Sequence, residues 1–310
     1  MHRRGPAPPP RPGRRTHRPG PHPREPGPHV WRWTRVTWEL LAEPWQYTFM
    51  QRALLVTVVA SVVCALLSCW LVLVGWSLMG DAVSHSVLPG VVLAYLAGLP
   101  FAIGAFVMGL GAVALIGAVR QTTRVKEDAA IGVVFTTLFA LGVVLVSVTP
   151  SQVDLGHILV GNVLGVSDEA LAQVLLISAA VVLVVLVQRR DLTHWAFDRT
   201  HAHVVGLPVN RLRWTLLVLL ALTAVVALQA VGVVLAVAML IIPGATAHLL
   251  TDRFSRMLVV APTLAATCAV VGTWGSYVLD VSSAGLVVVA QGSAFALAWG
   301  AVRVRGRATA

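Results

Sequence analysis

Long runs without a charged side chain dominate this chain and restrict what it can fold into. Residues 53–80 contain no Asp, Glu, Lys or Arg, and residues 82–119 contain none either. A helix needs about 20 apolar residues to cross the hydrocarbon core of a bilayer. The chain is 57% hydrophobic and 12% charged, with a mean hydropathy of +0.81, which is too apolar for a water-soluble fold. The sequence therefore predicts an all-α, polytopic membrane protein.

The number of transmembrane helices follows from the apolar stretches and their breaks. Gly98-Leu99-Pro100 divides residues 82–119 into two helices, because glycine and proline interrupt helical patterns. The stretches that remain predict further spans at 129–149, 170–188, 212–229, 232–250, 257–279 and 284–302. Gly232 is a weak divider between two of these spans. The prediction is therefore eight or nine transmembrane helices.

The basic residues of the short loops predict the orientation, because Lys and Arg concentrate in cytoplasmic loops. They recur after every second span, at Arg120, Arg124, Lys126, Arg189, Arg190, Arg199, Arg211, Arg213, Arg253, Arg256, Arg303, Arg305 and Arg307. The intervening loops 98–100, 150–169 and 279–283 contain neither Lys nor Arg. This pattern predicts that the basic loops and the C-terminus are cytoplasmic. With nine spans, residues 1–50 then lie outside.

The N-terminal segment differs in composition from everything that follows it. Residues 1–29 hold ten of the seventeen prolines, and the first 35 residues hold nine arginines and one acid, Glu25. Such a segment cannot bury a core, so we predict a disordered tail over residues 1–36. It is either a dispensable extension or a basic arm that touches anionic lipid. The positive charge of the chain is concentrated in this tail and does not indicate a nucleic-acid-binding surface. Tryptophans near residue 38 predict a short interfacial helix from about Thr37, interrupted near Pro44.

No motif of a catalytic site is present. A P-loop requires Gly-Lys followed by Ser or Thr, and the one lysine of the chain, Lys126, follows Val125. The GxSxG and HExxH patterns are absent as well. The sequence therefore predicts that the chain is not an enzyme and does not itself hydrolyse ATP.

Asp81 and His85 are the residues of the apolar region that can carry chemistry. Asp81 is the one charged side chain between Arg52 and Arg120, and a carboxylate in a membrane span costs about 2.5–3.5 kcal/mol on insertion scales. His85 follows at i+4, on the same helical face. Carboxylate and imidazole suit a divalent first-row metal. The alternative is that Asp81 caps a helix N-terminus while His85 bonds a neighbouring helix.

Several long motifs occur in an order that resembles the ABC-3 family, the permeases of manganese, iron and zinc ABC importers. The segment Gly80-Asp81-Ala82-Val83-Ser84-His85 resembles the signature of that family. Further likenesses lie at 41–54, 126–147, 154–167, 197–214 and 228–254. Together these segments cover nearly everything from Leu41 onward. The resemblance implies a permease domain over residues 37–305.

The resemblance also implies a function, a site and partners. In this family the aspartate and histidine of the signature line the translocation path and can bind metal, which assigns a metal site to Asp81 and His85. The loop 189–213 resembles the element that couples a permease to its ATPase, which assigns coupling to Asp198, His201, Gly206, Leu207 and Pro208. Expected partners are an ATP-binding cassette subunit, an extracytoplasmic metal-binding protein and a second permease copy or paired permease. The expected location is the bacterial plasma membrane.

Function remains open at this stage between two classes. The first is the permease subunit of an importer of a divalent metal, with no permanently bound cofactor and with energy from a separate ATPase. The second is a secondary transporter without an ATPase, in which Asp81 relays a proton or ion. The form of the segment Asp154–Leu159 is more like the manganese and iron branch than the zinc branch of the family. His157 in this segment either helps to receive metal or is a plain interface residue.

Overall fold

The computed structural model describes residues 43–149 and 167–308. Within these residues the chain is helical, and it begins with a short 3-10 turn at Glu43–Gln46. The helices that follow are α1 Thr48–Val74, α2 Ser77–Ser86, α3 Leu88–Leu96, α4 Phe101–Thr122, α5 Glu127–Val148, α6 Asp168–Phe197, α7 Arg199–Val204, α8 Val209–Val231, α9 Val233–Leu250, α10 Phe254–Leu279 and α11 Ser283–Ala308. Nine segments of this described part are long and apolar enough to cross a membrane, with α2 and α3 together forming one of them. The predicted all-α, polytopic fold is confirmed.

Two glycines separate spans where the sequence predicted breaks. Gly98, with φ of 66°, lies between α3 and α4. Gly232, with φ of 81°, lies between α8 and α9, so these are two spans, and the described residues contain nine spans, the higher of the two predicted counts. Positive φ values are accessible to glycine because it lacks a Cβ. The predicted disordered tail and residues 37–42 of the predicted interfacial helix lie outside the described residues.

The predicted first span, residues 53–80, was too long. The helix α1 ends at Val74, and Gly75 in the left-handed region, with φ of 80°, turns the chain. The N–H of Trp76 then bonds the carbonyl oxygen of Leu71 at 2.7 Å, which satisfies a free carbonyl at the helix end. A new helix begins at Ser77. The turn contains no charged residue, so the distribution of charge along the sequence does not reveal it.

The core of the bundle is built around α1, which packs against α6, α8, α9 and α10. The short helix α2 lies inside the bundle as well, against α4, α5, α8 and α9. Trp70, Leu71 and Leu220 are among the fully buried side chains of this core. The helices α5, α6 and α11 instead expose large apolar side chains, such as Leu176 and Leu297. In a membrane protein such outer faces contact lipid.

A proline inside α9 accompanies a close approach of α9 to α1. Pro243 lies within the helix, where it cannot donate a backbone hydrogen bond. Ser68 of α1 reaches this point: its hydroxyl accepts from the N–H of Gly244 at 3.1 Å and donates to the carbonyl of Ile241 at 3.4 Å. A Cβ at Gly244 would lie 2.7 Å from the carbonyl oxygen of Ser68. The Pro-Gly pair therefore serves helix packing here.

The two ends of the bundle differ in charge. At one end a recess of about 230 Å3 is lined by Trp76, Arg120, Glu127 and Arg213, among others. The turn after α1, the α4–α5 loop and the start of α8 therefore meet there. At the other end Arg52 at the start of α1 forms an ion pair of 2.8 Å with Asp168 at the start of α6. This separation agrees with the loop pattern, and a cytoplasmic position for the basic end stays a prediction.

Candidate functional site

The helix α2 carries both residues that the sequence singled out. Asp81 is the fifth of its ten residues, and His85 is the ninth. The position before the helix is occupied by Trp76, whose side chain makes no capping hydrogen bond. Asp81 therefore does not cap a helix N-terminus, and the capping alternative is wrong. A carboxylate in a helix interior needs a different partner, because the backbone N–H groups there are already bonded within the helix.

The partner of Asp81 is His85. Nε2 of His85 lies 3.3 Å from Oδ1 of Asp81, and the two side chains are 26% and 32% exposed. The i, i+4 spacing brings them onto one face of α2. Nδ1 of His85 is buried and has no hydrogen-bond partner among the described residues. The pair is therefore partly exposed, whereas the Nδ1 side of the imidazole is buried.

Two phenylalanines of α5 enclose the His85 ring. The ring centres of Phe135 and Phe139 lie 5.4 Å and 5.3 Å from that of His85. Phe135 and Phe139 are one helical turn apart and stack at 6.4 Å from each other. They leave His85 few orientations, with Nε2 directed at Asp81. The sequence did not indicate them, because they lie some fifty residues later and on a different helix.

The pair alone provides two ligand atoms for a metal ion. Among the described residues no group of three or more His, Cys, Asp or Glu side chains could hold a metal. The cysteines Cys64, Cys69 and Cys268 are free and buried. Carboxylate oxygen and imidazole nitrogen are nonetheless ligands that Mn²⁺, Fe²⁺ and Zn²⁺ accept. The described residues of one chain therefore offer two such ligand atoms at this point.

A second functional candidate, the coupling segment 198–208, forms the short helix α7 and its exit turn. Oδ1 of Asp198 accepts hydrogen bonds from the N–H groups of Thr200 at 2.8 Å and His201 at 2.9 Å. This is a side-chain N-cap, which stabilises a helix by about 0.5–2 kcal/mol relative to alanine. His201 and His203 lie on the exposed part of the helix. Asp198 therefore defines where α7 begins.

Gly206 defines where α7 ends. Its φ of 83° is left-handed, its N–H bonds the carbonyl of His203 at 3.1 Å, and the N–H of Leu207 bonds that of Ala202 at 3.0 Å. Together these two bonds form a Schellman motif, which closes a helix C-terminus. Pro208 then precedes α8. The segment is a short helix between α6 and α8 that is capped at both ends.

A cluster of aromatic and basic residues joins α7 to α2, and the sequence analysis did not detect it. The guanidinium carbon of Arg199 lies 5.5 Å from the ring centre of Trp76 and 5.3 Å from that of Trp195. The two indoles contact each other edge to face at 5.8 Å and are both buried. A tryptophan at a span boundary is ordinarily an interface anchor, which is why these two did not stand out.

Comparison with known proteins gives consistent relatives. The manganese transport system membrane protein MntB of Synechocystis sp. is 50% identical over 261 residues, which cover 84% of this chain and 85% of that protein. The chelated iron transport system membrane protein YfeD of Yersinia pestis is 49% identical over 259 residues, with 84% and 87% covered. Among solved structures the chain is similar to PsaBC from Streptococcus pneumoniae in complex with Fab, at 38% identity and a TM-score of 0.78. That match covers 84% of this chain and 94% of the other.

The family itself is shown by a match along most of the chain. The sequence profile described as the ABC 3 transport family matches residues 46–301. This range includes every helix described above except the last residues of α11. It contains both the Asp81–His85 pair and the segment 198–208. The chain therefore belongs to the ABC 3 transport family and is a multi-pass protein of the bacterial cell membrane.

Proposed function

We propose that this chain is the membrane-spanning permease of an importer that moves a divalent transition-metal ion, manganese or iron, into the cell. Asp81 and His85 bind the ion on its way, and a separate ATPase subunit supplies the energy. The observation that carries the proposal is the Asp81–His85 pair on the interior helix α2. The relatives of this chain are named for manganese and iron transport. A carboxylate and an imidazole are suitable ligands for both ions.

The separation of the two ligand atoms supports binding of one ion by both. With metal–ligand distances of about 2.1 Å to nitrogen and oxygen, cis ligands at a tetrahedral or octahedral ion lie about 3.0–3.4 Å apart. Nε2 of His85 and Oδ1 of Asp81 lie 3.3 Å apart. A single ion therefore fits between them without a change of the helix. Both side chains are partly exposed, so an ion can reach them.

A transported ion must be bound only transiently. The small number of ligands that one chain provides is consistent with transient binding. When one chain provides two ligands, the remaining coordination positions of the ion are available to water or to ligands from a second chain. A second copy related by a twofold axis contributes an equivalent pair, for four N and O ligands in total. A paired permease of different sequence could supply its own. Selection among metals then falls partly on an extracytoplasmic binding protein, because N/O sites generally favour Zn²⁺ over Mn²⁺.

Energy must come from outside this chain. The sequence has no P-loop, and α7 offers a capped, solvent-exposed helix at the basic end of the bundle. Its exposed apolar residues Val204 and Val205 suit insertion into a groove of another protein. The coupling role of Asp198, His201, Gly206, Leu207 and Pro208 is part of this proposal.

The test is reconstitution of the chain in proteoliposomes with and without an ATP-binding cassette ATPase subunit. We expect Mn²⁺ or Fe²⁺ uptake that requires ATP, the ATPase subunit and the Asp81–His85 pair. Uptake by the chain alone, driven by a proton or sodium gradient, would contradict the proposal and indicate a secondary transporter. An Arg211→Ala variant, which removes an exposed arginine at the basic end, serves as the control for assembly.

A further inference from the structure

We propose that Arg199 is a positioning residue that couples α7 to the metal-binding helix α2 through its contact with Trp76. This inference rests on the proposed function, because it describes how movement of the ATPase-docking helix reaches Asp81. The sequence pattern used Arg199 only as a marker of a cytoplasmic loop and assigned no role to Trp76. The contact between them is a property of the folded chain.

A short series of contacts connects Arg199 to the helix that carries Asp81. Arg199 is the first residue of α7, and its guanidinium lies 5.5 Å from the ring centre of Trp76. Trp76 occupies the N-cap position of α2. Asp81 follows five residues later, about 7.5 Å along the helix axis at a rise of about 1.5 Å per residue. A displacement of α7 therefore acts on the end of the helix that carries the metal ligands.

The guanidinium of Arg199 lies against two buried tryptophans. Trp76 and Trp195 are 2% and 1% exposed, and their rings meet edge to face. Trp195 lies near the end of α6, which leads directly into α7. Arg199 thus contacts one indole from the helix before it and one from the helix it is proposed to move. A guanidinium is attracted by the electron-rich faces of aromatic rings, and more strongly when it is desolvated.

Other charged side chains act on Arg199 as well. Burial lowers the pKa of Arg199, Arg120 and Arg213 lower it further, and Glu127 opposes them. Glu127 already forms an ion pair of 2.8 Å with Arg120. Arg199 is therefore a cation near other cations, and Glu127, the acid that favours its charge, is already paired with Arg120. The indole faces provide the attraction that keeps it in place, so their loss should release it.

The connection also explains why α2 is a separate helix. Gly75 breaks α1 from α2, so α2 can shift at its N-terminal end without bending a continuous long helix. The turn residues 75–76 lie at the same end of the bundle as α7. A push on Trp76 therefore changes the position of Asp81 and His85 relative to Phe135 and Phe139 of α5. Such a shift would open or close the pair.

The experiment compares variants of the complete permease–ATPase complex in lipid nanodiscs and proteoliposomes. The variants are Arg199→Ala, Arg199→Lys, Trp76→Leu and the double variant, with Arg211→Ala as the control for loss of an exposed arginine in the same basic region. Three quantities are measured for each: Mn²⁺ binding without ATP, the rate of ATP hydrolysis and the number of ions imported per ATP. Wild-type import with ATP establishes that the proposed function holds.

For Arg199→Ala we expect Mn²⁺ binding within twofold of wild type and continued ATP hydrolysis, with at least a fivefold fall in ions imported per ATP. Trp76→Leu should show the same loss, and the double variant should lose little more, because both changes break one contact. Arg199→Lys should restore part of the ratio, and Arg211→Ala should match wild type.

Two results would overturn the inference. One is a normal import ratio for Arg199→Ala in a complex whose wild type imports with ATP. The other is a proportional fall of binding, hydrolysis and import together with a lower melting temperature, which a purely structural role predicts. If the wild-type complex fails to import with ATP, the proposed function fails first, and the coupling inference falls with it.

Discussion

Nε2 of His85 lies 3.3 Å from Oδ1 of Asp81, one turn apart on the ten-residue helix α2 in the interior of the bundle. This relationship excludes the capping role that a Gly-Asp sequence suggests. It also leaves the carboxylate with one close side-chain partner among the described residues. An isolated carboxylate is costly in a membrane, and this pair provides the reason that it is present. The account of metal transport depends on this pair.

The sidedness of the basic loops is the first prediction. Cysteines introduced at Thr123 in the α4–α5 loop and at Thr200 in α7 should resist impermeant thiol reagents in intact cells and react after permeabilisation. The reason is that Lys and Arg concentrate on the cytoplasmic side. The three native cysteines are buried, so the wild-type chain should give a low background.

The control is a cysteine at Leu99, which is exposed between α3 and α4 and lies outside in the same prediction. It should react in intact cells. Reaction of the Thr123→Cys and Thr200→Cys variants in intact cells, with protection of Leu99→Cys, would invert the orientation.

The end of α7 gives the second prediction. Gly206→Val should abolish ATP-driven uptake while the chain still inserts in the membrane. Its φ of 83° costs an L-residue about 1–2 kcal/mol, and a β-branched side chain is the least tolerant of it. Gly206→Asn is the matched control, because Asn adopts this conformation at helix ends. Open space surrounds the position, so the effect tests backbone conformation and not steric overlap.

Uptake per inserted permease and co-purification with the ATPase subunit check this prediction. Normal uptake by Gly206→Val would show that the Schellman end of α7 is dispensable for coupling. Equal loss in both variants would trace the effect to something other than backbone conformation.

The contact between α3 and α4 gives the third prediction, which concerns stability. A Cβ at Gly104 would overlap the carbonyl oxygen of Gly90 and lie 2.6 Å from Cβ of Ala94. Overpacking costs about 1–3 kcal/mol, which exceeds the gain of about 1 kcal/mol from replacing a helical glycine by alanine. Gly104→Ala should therefore lower the melting temperature of the purified chain in detergent.

Gly111→Ala on the same helix is the control, because no atom lies within 4 Å of its Cβ position. It should leave the melting temperature unchanged or raise it. A melting temperature for Gly104→Ala equal to that of Gly111→Ala would mean that the two helices do not approach as closely as described.

The sequence predicted the fold well because helices that span a bilayer are recognisable as long apolar runs. Runs without charge located the spans, and glycines at positions 98 and 232 marked two of the connections. The turn at Gly75 was missed because it has the same uncharged composition as the helices beside it. The backbone around Gly75 had to be observed to see that α1 ends there and that Asp81 lies inside a second helix.

The site was only partly predictable for a related reason. Asp81 and His85 lie four residues apart, so helical periodicity alone brings them together. Phe135 and Phe139 meet His85 from a helix far along the chain, and Arg199 meets Trp76 across more than a hundred residues. Contacts of this kind depend on how helices pack, which periodicity does not specify. They account for the parts of the site that had to be observed.

The most direct test of the account is the rate of Mn²⁺ uptake by proteoliposomes that contain the permease–ATPase complex with Asp81→Asn. Asn preserves the shape of the side chain and can still bond His85, but it removes the charge that binds a cation. The account predicts at least a tenfold loss of uptake for Asp81→Asn and for His85→Ala, with little further loss in the double variant. Ser84→Ala, on the same helix but outside the pair, should transport normally. Uptake by Asp81→Asn at the wild-type rate, with equal amounts of protein, would contradict the assignment of the metal site.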